Sequence, residues 1–182
     1  MAAARDTHGH QREKAVRMPK QKIPSTGALR ALKQAGVEFN IHRYKYEPRG
    51  GTKVSSRELQ VEHQLVIKTL VMEDHQGKPM IVLMPGTHEV STRELARQLG
   101  VKAVKACKPE VAQKHSGYQV GGTSPFGTRK PMPVYAEKRI FELSLIYING
   151  GQRGLLVSMN PQVLRDLLDV EAVEVARLPG QS

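Results

Sequence analysis

Tryptophan is absent from this chain, and three Phe and five Tyr bring the aromatic residues to only 4% of 182 positions. That scarcity argues against a broad platform on which successive bases stack. Cysteine occurs once, at Cys107, which rules out an internal disulfide and any site built from several thiolates. No apolar run approaches the ~20 residues that a membrane span needs. The first residues, Met1-Ala2-Ala3-Ala4-Arg5-Asp6, lack an apolar core of signal-peptide length. A cytoplasmic protein with no membrane partner is the expectation. Acidic residues are also in deficit: 17 Asp and Glu stand against 28 Lys and Arg.

The resulting net charge of +11 favours a polyanionic partner, most simply nucleic acid. A generally basic soluble protein is the plainer alternative. With so few aromatics, RNA contact should run through backbone and shape, with one terminal nucleotide held in a pocket. Residues 1–22 hold six Lys and Arg and two Asp and Glu, so this stretch alone carries +4. It is polar and without apolar periodicity, and reads as a disordered basic arm ahead of a single domain over 23–178.

Within that domain strands and short helices mix without strict alternation. Thr26 or Ser25 caps a helix that Gly36 stops. Val37, Phe39 and Ile41 alternate with polar residues as a half-buried strand. Pro48-Arg49-Gly50-Gly51 is a break, and a short helix begins near Ser55. Val66–Met72 and Met80–Met84 form a hairpin at the centre of a sheet. Ser91 and Glu94 fit a capping box, and Pro109 opens another short helix. Leu145–Ile148 is a strand that Asn149-Gly150-Gly151-Gln152 ends as a hairpin turn. Asn160-Pro161 starts a helix to Leu168, and Val170–Val175 closes the fold. These elements predict an α+β domain with a mixed, partly closed sheet.

Two features point to chemistry. Gly117–Gly127 packs four of the 16 glycines, a proline and two hydroxyls into eleven residues. Gly121-Gly122 lets another molecule approach the main chain, and amides around Gly121–Ser124 could stabilise negative charge developing on a carbonyl oxygen. An ordinary Gly/Pro connection is the alternative. Lys68 shares one strand face with Val66, Leu70 and Met72, where an ammonium is costly unless it meets an anion or water. It either guards an edge strand or serves a cavity with an anionic or oxyanionic ligand. No protein nucleophile stands out. Cys107 lies in Lys105-Ala106-Cys107-Lys108, which suits an incidental thiol better than an activated one. Ser124 precedes proline and lacks a nucleophile-elbow pattern. The seven histidines show no metal-ligand spacing, so neither a metal nor another cofactor is expected. An enzyme built this way works by positioning and electrostatics, using a group on its substrate.

Four stretches in order resemble the YbaK family of free-standing aminoacyl-tRNA editing domains, related to the insertion domain of bacterial prolyl-tRNA synthetase. They are Phe39–Tyr44, Val66–Val71, Gly117–Gly127 and Ile146–Leu155. The resemblance covers about residues 25–176, and the Gly-Gly-x-Ser-Pro form of the loop is similar to the cysteine-specific branch. It implies a barrel-like mixed sheet with surrounding helices. It also implies removal of a mischarged amino acid, cysteine above all, from tRNA(Pro), with Cys-tRNA(Cys) as a second substrate and prolyl-tRNA synthetase as a candidate partner. By the same resemblance Lys68, Gly121 and Gly122 are catalytic, and Tyr44, Thr69, Thr123 and Ser124 bind substrate. The substrate's own thiol would attack the ester carbonyl, with the adenosine 2′-OH as another candidate. Two positions depart from the pattern. Leu156 stands where the best-known cysteine-specific members carry aspartate, and Arg49–Lys53 offers no counterpart to the family's pocket phenylalanine. Deacylation of another amino acid such as alanine, or non-catalytic binding of tRNA ends or an amino acid, are the other readings.

Overall fold

A computed structural model of the chain describes residues 24–180, so the expected arm at 1–22 lies outside the described residues. The Thr26 hydroxyl accepts the Leu29 amide at 3.1 Å and caps α1, Gly27–Gln34, which buries Ala28, Leu29 and Leu32. A turn through Gly36 leads to β1, Asn40–Arg43. α2 spans Gly51–Leu59 and starts earlier than the glycines suggest. The Gly50 amide closes a turn on the Glu47 carbonyl at 3.0 Å, and Val54, Ser55 and Ser56 are buried, which outweighs the poor helix propensity of Gly51.

β2, Val66–Asp74, and β3, Pro79–Pro85, form the expected hairpin. The Asp74 carboxylate holds its turn by accepting the amides of Gln76 and Lys78, which keep its pKa below the ordinary value. β4, Glu89–Val90, precedes α3, Thr92–Gln98. Ser91 caps α3 through the Glu94 amide, but the capping box is only half made. Glu94 turns to Arg97, and the Ser91 amide goes to the Val175 carbonyl instead. Next come β5, Val104–Ala106, α4, Pro109–Ser116, and β6, Val134–Glu137. β7, Ile146–Gln152, β8, Leu155–Met159, α5, Gln162–Leu168, β9, Glu171–Val173, and β10, Ala176–Arg177, complete the chain.

The sheet runs β1-β8-β7-β2-β3-β6-β9, with β5 added on β2 and β4 pairing β10 separately. It is mixed: β2 with β7, β3 with β6 and β6 with β9 are parallel, and the other pairs are antiparallel. Both faces are covered. Ile81 and Leu83 of β3 join a cluster with Leu29, Leu32, Ile148 and Val157, whereas Met80, Val82 and Met84 join one with Leu95 and Val104. Burial on both faces is why β3 reads as an unbroken apolar run rather than an alternating one.

Two departures from regular strand pairing mark this sheet. Asn149-Gly150-Gly151 does not end β7. The Asn149 carboxamide oxygen accepts the amides of Gly151 (2.8 Å) and Gln152 (3.1 Å), and the ladder with β8 shifts register there. Asn-Gly thus makes a bulge, and the turn falls at Arg153-Gly154. The second departure is a gap. β3 lines one edge of β2 from Ile67 to Glu73. β7 and β5 share the other edge, β7 at Val66 and Ile67, β5 at Met72 to Asp74. Among the described residues Lys68 to Leu70 therefore have no strand partner on that side, and the Val71 carbonyl accepts the Cys107 amide at 3.1 Å.

Candidate functional site

A cavity of about 650 Å³ opens at this gap. Its apolar wall comes from Val66, Ile67, Leu70 and Val71 of β2, Ala112 of α4 and Leu156 of β8. Its polar rim has two parts, one on β2 and one on the glycine loop.

On β2 the structure places Lys68 in a central strand, which removes the edge-guard alternative. The ammonium is half-buried and donates to the His88 carbonyl at 2.6 Å. Burial lowers its pKa, Glu89 partly offsets this, and Lys53 adds to it. An ammonium has three N–H donors, and the His88 carbonyl takes one, so two remain for a ligand among the described residues. The hydroxyl of Thr69 is buried in the cavity wall with no hydrogen-bond partner among the described residues. An unpaired buried hydroxyl costs free energy that a ligand would recover. His63 sits close by, with its ring bonded to the Thr52 hydroxyl at 2.8 Å. Burial, then Lys68 and Lys53, push its pKa down and keep it neutral.

The glycine loop is held from both ends. The buried Tyr118 hydroxyl donates to the Phe126 carbonyl at 2.7 Å, bracing the loop across its base. Asn149, already fixed by the bulge, donates from its amide nitrogen to the Gly121 carbonyl at 3.1 Å. Arg153 donates from Nε to the Val120 carbonyl at 2.9 Å and lies over the Tyr46 ring. Gly121 has φ 89°, and a Cβ there would stand 2.9 Å from the Tyr46 hydroxyl. A Cβ on Gly122 would stand 2.8 Å from the Arg153 backbone nitrogen, so this glycine is needed for close approach of two main chains.

The expectation that four successive amides face a ligand needs correction. The Gly122 amide is engaged by the Gln119 carbonyl at 2.8 Å. Ser124 is fully buried away from the cavity, and its hydroxyl accepts the Phe126 amide in a local turn. Gly122 and Ser124 thus shape the loop. Gly121 and Thr123 line the cavity, and their amides have no protein acceptor among the described residues. Tyr44 also lines it, with its amide tied to the Gly154 carbonyl at 3.1 Å.

Among the polar lining residues that escaped the sequence reading are Tyr46, Asn149 and Arg153. Tyr46 had a signal, since it lies two residues after Tyr44 in an extended stretch. Asn149 was hidden by its use as a turn signal, and Arg153 by its place in the true turn. Cys107 lines the cavity too, but burial and then Glu73 push its pKa to about 11, so the thiol stays protonated near neutrality and is a poor nucleophile.

The profile of the family described as "Aminoacyl-tRNA editing domain" matches residues 48–167. The candidate Cys-tRNA(Pro)/Cys-tRNA(Cys) deacylase EbsC of Enterococcus faecalis is 26% identical over 151 residues, which cover 82% of this chain and 92% of that protein. A proline–tRNA ligase of Limosilactobacillus fermentum is 27% identical over 121 residues, 64% of this chain but only 21% of the ligase. A crystal structure described as a candidate trans-editing enzyme for prolyl-tRNA synthetase superposes with a TM-score of 0.75 at 20% identity, over 85% of this chain and 99% of that one. That likeness establishes a shared fold, and with the profile match over most of the domain the chain belongs to the aminoacyl-tRNA editing domain family, the YbaK family.

Proposed function

We propose that this protein is a trans-acting deacylase that removes cysteine from Cys-tRNA(Pro), with Cys-tRNA(Cys) as a second substrate. The observation that carries this reading is a cavity with a cation and unpaired amides on its rim but no activated protein nucleophile. Such a site suits a reaction whose nucleophile arrives on the substrate. The cysteinyl sulfur attacks its own ester carbonyl, and an S–C bond forms. The amides of Gly121 and Thr123 face the developing oxyanion. The bond from carbonyl carbon to ribose oxygen then breaks, that oxygen takes up the thiol's proton, and a cyclic thiolactone leaves. Lys68 holds the terminal ribose or its phosphate, and Tyr44 and Thr69 border the acyl end. The apolar wall keeps water from competing. The name of the Enterococcus relative supports the same amino acid.

One observation favours a second reading. Leu156 makes an apolar wall, and among the described residues no carboxylate lines the cavity, which suits a small apolar acyl group such as alanine equally well. A panel of Cys-, Ser- and Ala-tRNA(Pro) decides between them. Rapid loss of cysteine with survival of the seryl ester is the expected result. Cleavage of all three at similar rates would remove the thiol from the mechanism, and preference for alanine would establish the second reading.

A further inference from the structure

The gap beside β2 leaves main chain bare as well as side chains. The amide and carbonyl of one strand residue point to the same edge, and successive residues alternate edges. The Val66 carbonyl accepts the Gly86 amide at 2.8 Å, just past the end of β3, whereas the Val71 carbonyl accepts the Cys107 amide on the other side. Even-numbered residues of β2 therefore face β3, and odd-numbered ones face the gap. Thr69 lies at the middle of the gap, and among the described residues neither its amide nor its carbonyl meets a strand or loop partner there. Its hydroxyl is buried and also without a partner among the described residues. Thr69 lines the cavity, as do Asn149 on β7 and Cys107 after β5, which flank the gap. One residue thus offers the cavity a donor, an acceptor and a hydroxyl, and a ligand that pairs them recovers the free energy of groups left unpaired.

An aminoacyl ester brings an α-ammonium that must be received. A carboxylate is the strong partner for an ammonium, and among the described residues none lines the cavity. Uncharged acceptors are left, and Thr69 presents two of them on the open edge. We infer that the bare edge at Thr69 is the specificity element for the α-ammonium, its carbonyl and hydroxyl each accepting one N–H; this rests on the deacylase reading of the cavity. Lys68 does not compete for these acceptors. Neighbouring side chains of a strand leave on opposite faces, and the Lys68 ammonium is already held by the His88 carbonyl. The Thr69 amide, on the same edge, then meets what the β-carbon carries, which is sulfur, a weak acceptor, in cysteine and only hydrogen in alanine. Main chain, and no charged side chain, thus holds the acyl group with its thiol beside its own ester carbonyl.

The test uses the full chain and pairs of ligands that differ only in the ammonium. Cys-tRNA(Pro) is compared with β-mercaptopropionyl-tRNA(Pro), which keeps the thiol. Each rate is divided by the spontaneous cleavage of the same ester, because an ammonium activates the ester on its own. Loss of the ammonium should lower the normalised kcat/KM about tenfold or more. Thr69→Val keeps the shape and removes the hydroxyl, and should slow the cysteinyl ester by a larger factor than the deamino ester. In parallel, cysteinamide and β-mercaptopropionamide, which carry no ester, are titrated while the Thr69 backbone amide signal is followed by NMR. That signal should move with cysteinamide, and its Kd should be about tenfold below that of the deamino compound. Equal normalised rates for the two esters, equal loss on both in Thr69→Val, or a Thr69 signal that stays in place overturns the assignment. If the unsubstituted protein cleaves neither ester, the deacylase reading fails by itself, and the cysteinamide titration still decides the Thr69 site.

Discussion

The two rims of the cavity are built in opposite ways. The β2 rim is laid down by a ladder: seven register pairs with β3 fix Lys68 and Thr69, and the functional groups stand where the other edge is left open. The loop rim has no ladder. Gly121 and Thr123 are placed by Asn149, Arg153 and Tyr118, each through one or two bonds to a carbonyl. A ladder spreads the cost of one lost contact over many, whereas the loop rim depends on single contacts. Substitutions on β2 should therefore disturb chemistry without disturbing the fold, and those on the loop rim should disturb both.

The largest effect is expected on the ladder side. Lys68→Ala should reduce kcat/KM for Cys-tRNA(Pro) by about 10²-fold or more, with a thermal midpoint no lower than that of the parent. Burial holds the Lys68 pKa below the ordinary value of 10.5. The folded chain thus gives up this proton at lower pH than the unfolded chain. Its ammonium opposes folding below the depressed pKa, and the penalty fades as pH rises toward 10.5. Activity has the opposite sign. After subtraction of spontaneous ester hydrolysis, it should fall on the alkaline side before pH 10.5, and Lys68→Arg should remove that limb. A profile still flat at 10.5, or full activity in Lys68→Ala, would take Lys68 out of the reaction.

Gly122→Ala tests the loop rim next. Its Cβ would meet the Arg153 backbone nitrogen at 2.8 Å, and backbone on both sides leaves no flexible side chain to yield. The expected cost is about 1–3 kcal/mol of stability and about tenfold in activity as Gly121 and Thr123 shift. Asn149→Ala should cost somewhat less, about 1–2 kcal/mol. It frees the amides of Gly151 and Gln152 and the Gly121 carbonyl, which water then reaches in part. Calorimetry and single-turnover deacylation on the same samples separate the two losses. If either variant lost activity with an unchanged thermal midpoint, the two rims would not differ as argued.

The same contrast explains what the sequence revealed. The β2–β3 hairpin, the Thr26 cap and the Pro109 helix are local, each written in neighbouring residues and each formed as read, and of the Ser91–Glu94 capping box the Ser91 half forms. Lys68 stood out because a cation in an apolar strand violates a local rule. The open edge of β2 was invisible, because it depends on where β7 leaves and β5 arrives, and those strands lie 30 or more residues away in the chain. Asn149 shows how local reasoning misleads. Asn-Gly is a strong turn signal in isolation, but a carboxamide that bonds two following amides makes a bulge within a strand that continues. The loop was legible as a loop. Which of its amides are already engaged was not, since Gly122 bonds to Gln119 through a turn that composition does not specify.

The smallest effect should come from Cys107, which lines the cavity but belongs to neither rim. Its thiol donates to the Glu73 carboxylate at 3.7 Å and its amide to the Val71 carbonyl at 3.1 Å, so both tie it to β2. With a pKa near 11 it holds its proton at neutral pH. A carboxylate neighbour stabilises a thiol and disfavours a thiolate, the reverse of what an attacking sulfur needs. Cys107→Ser keeps the size and the hydrogen bond to Glu73, and should leave deacylation within about twofold of the parent, since an exchanged donor of similar geometry changes little. Iodoacetamide at neutral pH should likewise react slowly with the parent. A loss of 10²-fold in the serine variant, or rapid alkylation that abolishes activity, would mean that the protein supplies the sulfur, and the distinction between a positioning site and a nucleophilic one would fall on the other side.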